Sequence, residues 1–205
     1  MKPWCLCRWA FFYPYRRFKD THLAHHRDER LTDPYDDPES WYTAEGDWLG
    51  MSLLMRGLLK LNATLLGRLI LGPAIGFVGF VRNDIKLIAA GDKRVLGAWI
   101  RHLIGVAILF SWVWFVAGIH PLAYLLFAAY PGASLLMVRT YAEHKAEQAV
   151  EQRTAIIESN PLFGLLFLNN NLHAVHHHKP RMPWYMLPAY YCEHRQKYVE
   201  EDQVD

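Results

Sequence analysis

The run W-I-R-H-L-I-G-V-A-I-L-F-S-W-V-W-F-V-A-G, residues 99–118, is followed, after Ile119 and His120, by P-L-A-Y-L-L-F-A-A-Y-P-G-A-S-L-L-M-V, residues 121–138. A helix needs about 20 apolar residues to cross the hydrocarbon core of a bilayer. The runs hold 20 and 18 residues, and only two residues separate them. The pair predicts a tight transmembrane hairpin over 99–138. Arg101 and His102 stand near one end of the first run, where a long cation can snorkel to the interface. The fold class that follows is all-α, an integral membrane helical protein.

Upstream of the hairpin, Trp48 to Leu61 interleaves apolar residues with Arg56 and Lys60 at helical spacing, the pattern of an amphipathic helix lying in the interface. Ala63 to Val81 is more apolar but carries Arg68 and the dipeptide Gly72-Pro73. Residues 48–81 are therefore read as an amphipathic or re-entrant interfacial segment. A full crossing by 63–81 would make three spans and separate the two His-rich stretches described next, whereas two spans keep them on one face. Arg82, Lys86, Lys93, Arg94 and Arg101 lie before Ile104, Arg139 follows Val138, and the hairpin tip has no basic residue. The positive-inside rule then puts the His-rich parts in the cytoplasm as a helical cap.

Those stretches are T-H-L-A-H-H-R-D-E, with His22, His25 and His26, and N-N-N-L-H-A-V-H-H-H-K-P, with His173, His176 and His177. Both contain H-x-x-H-H. On a helix, positions i, i+3 and i+4 share one face. Imidazoles held that close repel one another when protonated, and neutral imidazole is a ligand for iron, copper, nickel or zinc. All-nitrogen ligation without cysteine argues against an iron–sulfur cluster or a structural zinc site, and fits a dimetal site that activates dioxygen. His144, next to Glu143 and just past the hairpin exit, joins the candidate ligands. His178 points in another helical direction and is read as a surface or supporting residue. His102 and His120 are read as interfacial and His194 as solvated. Asn169, Asn170 and Asn171 are placed to cap the box helix, or to hold a ligand water. Asp28 or Glu29 is placed to orient a ligand imidazole. The acidic, proline-punctuated stretch 33–39 is otherwise read as solvated loop.

Composition narrows the partners. Eight Trp, eleven Tyr and ten Phe in 205 residues suit a protein seated at a membrane interface. A net charge of +2 and the lack of a basic stripe give no footprint for nucleic acid. Cys5, Cys7 and Cys192 form no C-x-x-C and no disulfide framework. Met1 to Tyr15 has no small-residue cleavage site, so no signal peptide is expected. After the hairpin, a charged helical stretch is expected to run to Glu158. Pro180, Pro183 and Pro188 are expected to stop any long helix, and the end from Glu193 to fray.

With these motifs in view, the chain resembles the membrane fatty acid desaturases of bacterial type, within the wider desaturase–hydroxylase group. T-H-L-A-H-H-R-D-E followed by T-D-P-Y-D-D-P-E carries the resemblance, with N-N-N-L-H-A-V-H-H-H-K-P and the later M-P-W-Y. R-T-Y-A-E-H, residues 139–144, is similar to an E-H element of desaturases and alkane hydroxylases. The likeness runs from about Tyr13 to Pro188, within one domain spanning 1–205.

The resemblance implies a non-haem di-iron centre of two iron ions, with His22, His25, His26, His144, His173, His176 and His177 as ligands. Glu143, Asn170 and Asp28 would support them. It implies an acyl lipid substrate, O2, and electrons from a ferredoxin- or cytochrome-type donor with its reductase. The family pattern also has an earlier His box on an earlier membrane hairpin. No histidine precedes His22, so the N-terminal part with that box is expected to be lacking and the activity impaired. Two other readings stand beside desaturation: a related membrane hydroxylase or ketolase, and a non-catalytic truncated membrane protein with residual metal binding.

Overall fold

The computed structural model describes residues 12–27, 30–201 and 204. The expectation of no signal peptide, for the most part, and the roles of Asp28 and Glu29 lie outside those residues. Among them the chain is helical and has no strand, only isolated bridges. It divides into two compact units, residues 1–23 with 52–137, and residues 24–51 with 138–205.

The first unit takes the start of α1 (Tyr15–His25), then α3 (Leu53–Asn62), α4 (Leu65–Ala89), α5 (Lys93–Phe115) and α6 (Pro121–Tyr124). A π-turn, Leu125–Ala129, leads from α6 into α7 (Tyr130–Ala142). Side chains end the helices where the sequence supplies short polar groups. Ser52 Oγ accepts from the Met55 amide, and Thr64 Oγ1 accepts from Gly67. Asp92 accepts from Arg94 and Val95, and His120 accepts from Leu122. Each cap satisfies amides that have no partner within their own helix.

Three helices are long and apolar enough to cross a membrane: Leu65–Ala89, Lys93–Phe115 and Pro121–Ala142. The second and third cover the hairpin expected at 99–138. The first differs from the sequence expectation in form. Gly72-Pro73 does not interrupt it, and the apolar half of 48–81 becomes the start of a 25-residue helix. Tyr130 donates its hydroxyl to the Ile70 carbonyl in the turn before Pro73, a polar contact of the kind that lets membrane helices carry proline. Gly72 keeps α4 close to α7, since a Cβ there would meet Met137 Cγ at 3.0 Å. Outward-facing Phe115 and Phe127 are 80% and 82% exposed, as suits a surface solvated by lipid.

At the other end of α4 the unit buries a charge. Asp84, 1% exposed, accepts two hydrogen bonds of 3.0 Å from Arg17 Nε and one of 2.7 Å from Arg17 Nη2. Trp99 Nε1 donates to Asp84 Oδ2 at 2.8 Å, the oxygen that Arg17 Nη2 does not reach. These bonds tie the first half of α1 to the adjoining ends of α4 and α5.

The second unit holds α2 (Glu45–Gly50), α8 (Pro161–Leu166), α9 (His173–His178) and α10 (Leu187–Glu200), with 3-10 turns at Val150–Arg153 and Trp184–Met186. Its core is Ile156, Leu172, Ala174, Val175, Leu187, Tyr191 and Tyr198. Two expectations are corrected here. The stretch from Lys145 to Glu158 is extended apart from one 3-10 turn, with bridges His144–Thr154 and Ile156–Leu172. The Arg153 guanidinium holds it open by donating to the carbonyls of Glu147, Gln148 and Leu31. Pro188 does not stop a helix but stands in the first turn of α10, where its missing N–H leaves no gap. α10 therefore runs through Glu193 to Glu200, with Tyr198 buried in the core.

Candidate metal centre

The second unit gathers imidazoles from three parts of the chain. His25 comes from the last turn of α1, His144 from the strand-like segment after α7, and His173 and His177 from successive turns of α9. Ala174 and Val175 are fully buried in the core, which fixes the roll of α9 and leaves His173 and His177 together on another face. The potential ligand atoms of His25, His144, His173 and His177 all lie within 4.8 Å of one another. His173 Nε2 is 3.1 Å from His144 Nε2 and 3.0 Å from His177 Nε2.

Those spacings fit a metal. Two nitrogens each about 2.1 Å from one ion, at right angles, stand about 3.0 Å apart. The far sides of the rings are anchored so that Nε2 faces inward. His25 Nδ1 lies 2.9 Å from Asp37 Oδ1, and His144 Nδ1 lies 3.1 Å from the Arg153 carbonyl. With the proton on Nδ1 in both, each Nε2 keeps its lone pair for the centre, which is how ligand histidines are commonly oriented. His173 Nδ1 lies 3.1 Å from Asn170 Nδ2 and 3.5 Å from Glu143 Oε1. Glu143 is itself held by Arg139 Nε at 2.7 Å and by Asn170.

The electrostatics favour neutral rings. Burial drives the His144 pKa down to about 4, and the charge of His25 adds to the effect. His173, fully buried, is held well below the ordinary histidine value, first by desolvation and then by His144, His177 and His176. His177 is lowered too, first by desolvation and then by the charges of His26, His144, His25 and His176. His25 goes the other way. Burial disfavours its charge, but the hydrogen bond to Asp37 and the charges of Glu39, Asp37 and Glu143 outweigh that and raise its pKa. A cation placed among these rings would take over the attraction of the carboxylates.

The remaining predicted ligands are placed as follows. His26 and His176 have ring centroids 4.8 Å apart, and His26 stacks on His177 at 4.2 Å. His22 lies in the part of α1 that belongs to the first unit, with its ring stacked on Phe18 at 5.5 Å. His178 is turned away and lies 3.3 Å from Tyr198 Oη. His102 packs edge-on against Trp99, and exposed His194 stacks on Tyr190.

Of the predicted supporting residues, Glu143 and Asn170 sit beside His173, and Asp28 lies outside the described residues. The capping expectation is corrected: α9 begins after Leu172 with no side-chain cap. Asn169 instead donates to the Trp184 carbonyl, Asn170 to Glu143, and Asn171 to the Ile157 carbonyl. Sequence reading missed Asp37, which is buried and not solvated. Its other oxygen accepts from the Thr32 amide, and Thr32 has φ 68°. The signal was the spacing D-P-x-x-D-P, residues 33–38, which closes a tight loop directly after the first box.

A family model described as fatty acid desaturase matches residues 2–204. Comparison with curated proteins and with solved structures finds no match.

Proposed function

We propose, because the chain belongs to the fatty acid desaturase family, that it removes two hydrogens from a fatty acyl chain in the membrane with O2 as oxidant. Reducing O2 to two waters while forming one alkene consumes two further electrons and two protons. A small donor protein of ferredoxin or cytochrome type, with its reductase, supplies the electrons in this reading. The observation that carries it is the inward convergence of the Nε2 atoms of His144, His173 and His177, with the Nδ1 atoms of His25 and His144 tied outward.

His25, His144, His173 and His177 would hold one iron ion. His26 and His176 would hold a second, with His22 as a proposed ligand on the H-x-x-H-H pattern alone. Bound iron would supply the redox chemistry toward O2. This chain's own groups do the rest. Asp37, the Arg153 carbonyl and Glu143 with Asn170 fix ring orientation. The low proton affinity of His144, His173 and His177 keeps their lone pairs available, and burial excludes water.

Chain direction supports a cytoplasmic centre. Arg82, Lys86, Lys93 and Arg94 cluster around the α4–α5 turn, and the Ile119-His120 turn has no Lys or Arg. By the positive-inside rule the α4–α5 turn faces the cytoplasm. Arg17 ties the start of α1 to that end of α4. From there α5 leads out and α6–α7 lead back, and the α3–α4 hairpin enters and returns as a re-entrant element.

The test is expression in membranes of a host lacking acyl desaturation, with iron analysis of the purified protein and mass analysis of its lipids. The expected result is bound iron and acyl chains two mass units lighter. Acyl chains sixteen units heavier would instead establish a hydroxylase. Bound metal with no change in any lipid would leave only a metal-binding protein.

A further inference from the structure

The second unit exposes an apolar surface that none of the three span-length helices accounts for. α8 is six residues long, about 9 Å, far too short to cross a bilayer. Yet Leu162, Phe163, Leu165 and Leu166 are 73%, 51%, 60% and 47% exposed. Across an open cleft of about 440 Å³, lined by Pro161, Leu165 and Trp184 among others, stands the 3-10 turn Trp184–Met186. Its Trp184, Tyr185 and Met186 are 40%, 65% and 49% exposed. Asn169 fastens this turn to the cleft wall by donating to the Trp184 carbonyl. Exposed Lys179 and Arg181 lead directly into it.

We infer that this surface is a membrane foot: α8 and the Trp184–Met186 turn seat in the headgroup and upper acyl region of a bilayer leaflet. Three features select a lipid surface as occupant. Trp and Tyr are the residues that partition to the membrane–water boundary. Leu and Phe on a short helix, beside an aromatic turn that Lys179 and Arg181 lead into, match the chemistry of interfacial segments on anionic lipid. The chain already carries helices able to cross a bilayer, so lipid is at hand. The inference does not depend on metal binding or on desaturation. The loop that forms the cleft wall, 169–171, also carries Asn170 to His173, so lipid contact and the imidazole cluster share one short segment.

Site-specific fluorescence tests it on the full chain. Cys5→Ser, Cys7→Ser and Cys192→Ser remove the native thiols. One new thiol, Phe163→Cys, Tyr185→Cys or the control Glu193→Cys, is labelled with an environment-sensitive dye. The proteins are reconstituted in phosphatidylcholine–phosphatidylglycerol vesicles with and without brominated acyl chains. The expected result is blue-shifted emission and at least twofold stronger quenching by bromine at positions 163 and 185 than at 193. Water-like emission at 163 and 185 overturns the inference. So does blue-shifted emission that bromine does not quench, since that would mean protein covers the surface. If Phe163→Cys loses helical circular dichroism, Leu162→Cys, at a more exposed position, replaces it with the same expected result.

Discussion

His25 Nδ1 lies 2.9 Å from Asp37 Oδ1, with the two side chains 1% and 2% exposed. The pair points the opposite nitrogen of His25 toward His144 and His177. Removing such a supporting carboxylate elsewhere costs about 10–100-fold in metal affinity. Asp37→Ala is expected to weaken metal binding by that order while helical content stays unchanged. Asp37→Asn, which keeps an acceptor without the charge, should fall between. Competitive chelator titration of the purified protein measures both.

The histidines divide into those that face the cluster and those that do not. His173→Ala and His177→Ala should each release the ion expected at the four-imidazole group. His178→Ala and His194→Ala should retain it, because their rings contact Tyr198 and Tyr190 instead. Metal analysis after gel filtration separates the two sets. A retained ion in His173→Ala would sink the ligand assignment.

Ligand binding to the folded state alone stabilises it, by about 4 kcal/mol at a thousandfold excess over Kd. Stripping the metal with a chelator should therefore lower the melting temperature of the second unit. Adding back ferrous iron under anaerobic conditions should restore it. A melting curve indifferent to both treatments would show that the four imidazoles hold no ion.

The Arg17–Asp84 pair predicts a non-additive pattern. Breaking a buried pair by removing one partner costs about 3–5 kcal/mol, because the other charge is left without its counterion. Arg17→Met and Asp84→Leu should each destabilise by about that much. The double variant should recover most of the loss. Thermal denaturation in one detergent, followed by circular dichroism, gives all three values. Equal additive losses would mean that the pair is not coupled.

Glu158 accepts from Tyr191 Oη at 2.6 Å and Arg195 Nε at 2.7 Å. Arg195 first, then Tyr191, hold its pKa below the ordinary 4.5. A group lowered by folding stabilises the fold above its unfolded value and loses that contribution as pH falls through the folded value. Wild type should therefore exceed Glu158→Gln in melting temperature at pH 7, and the two should converge as pH falls below the ordinary 4.5 and through the lowered folded value. A gap that persists at acid pH would point to packing rather than charge.

The apolar runs at 99–118 and 121–138 were legible because membrane crossing is written in composition and length, which neighbours scarcely modify. The H-x-x-H-H boxes stood out for a similar reason: which residues share one face of a helix is a local matter. What the sequence did not disclose depends on distant partners. Asp37 looked like one more acidic loop residue until the turn at Thr32 carried it under His25. The asparagines before α9 had the residue type of caps, yet Glu143 and the Ile157 and Trp184 carbonyls claimed them. The stretch after His144 had helical composition, but bridges to Thr154 and Leu172 set its backbone. Pro188 was read by what it forbids in a helix interior, whereas its place in the first turn of α10 made it a helix start.

Asp84 has a consequence for how the chain is made. Its carboxylate sits near the end of a helix that must leave water for lipid, and an uncompensated carboxylate there opposes insertion. Arg17 lies 67 residues earlier and has left the ribosome before α4 is complete. Trp99 follows 15 residues later, on the next helix. Synthesis order thus delivers the counterion first, the charge second and the neutral donor last. The ionic partner is available before α4 reaches the bilayer, and α5 closes over a charge already matched.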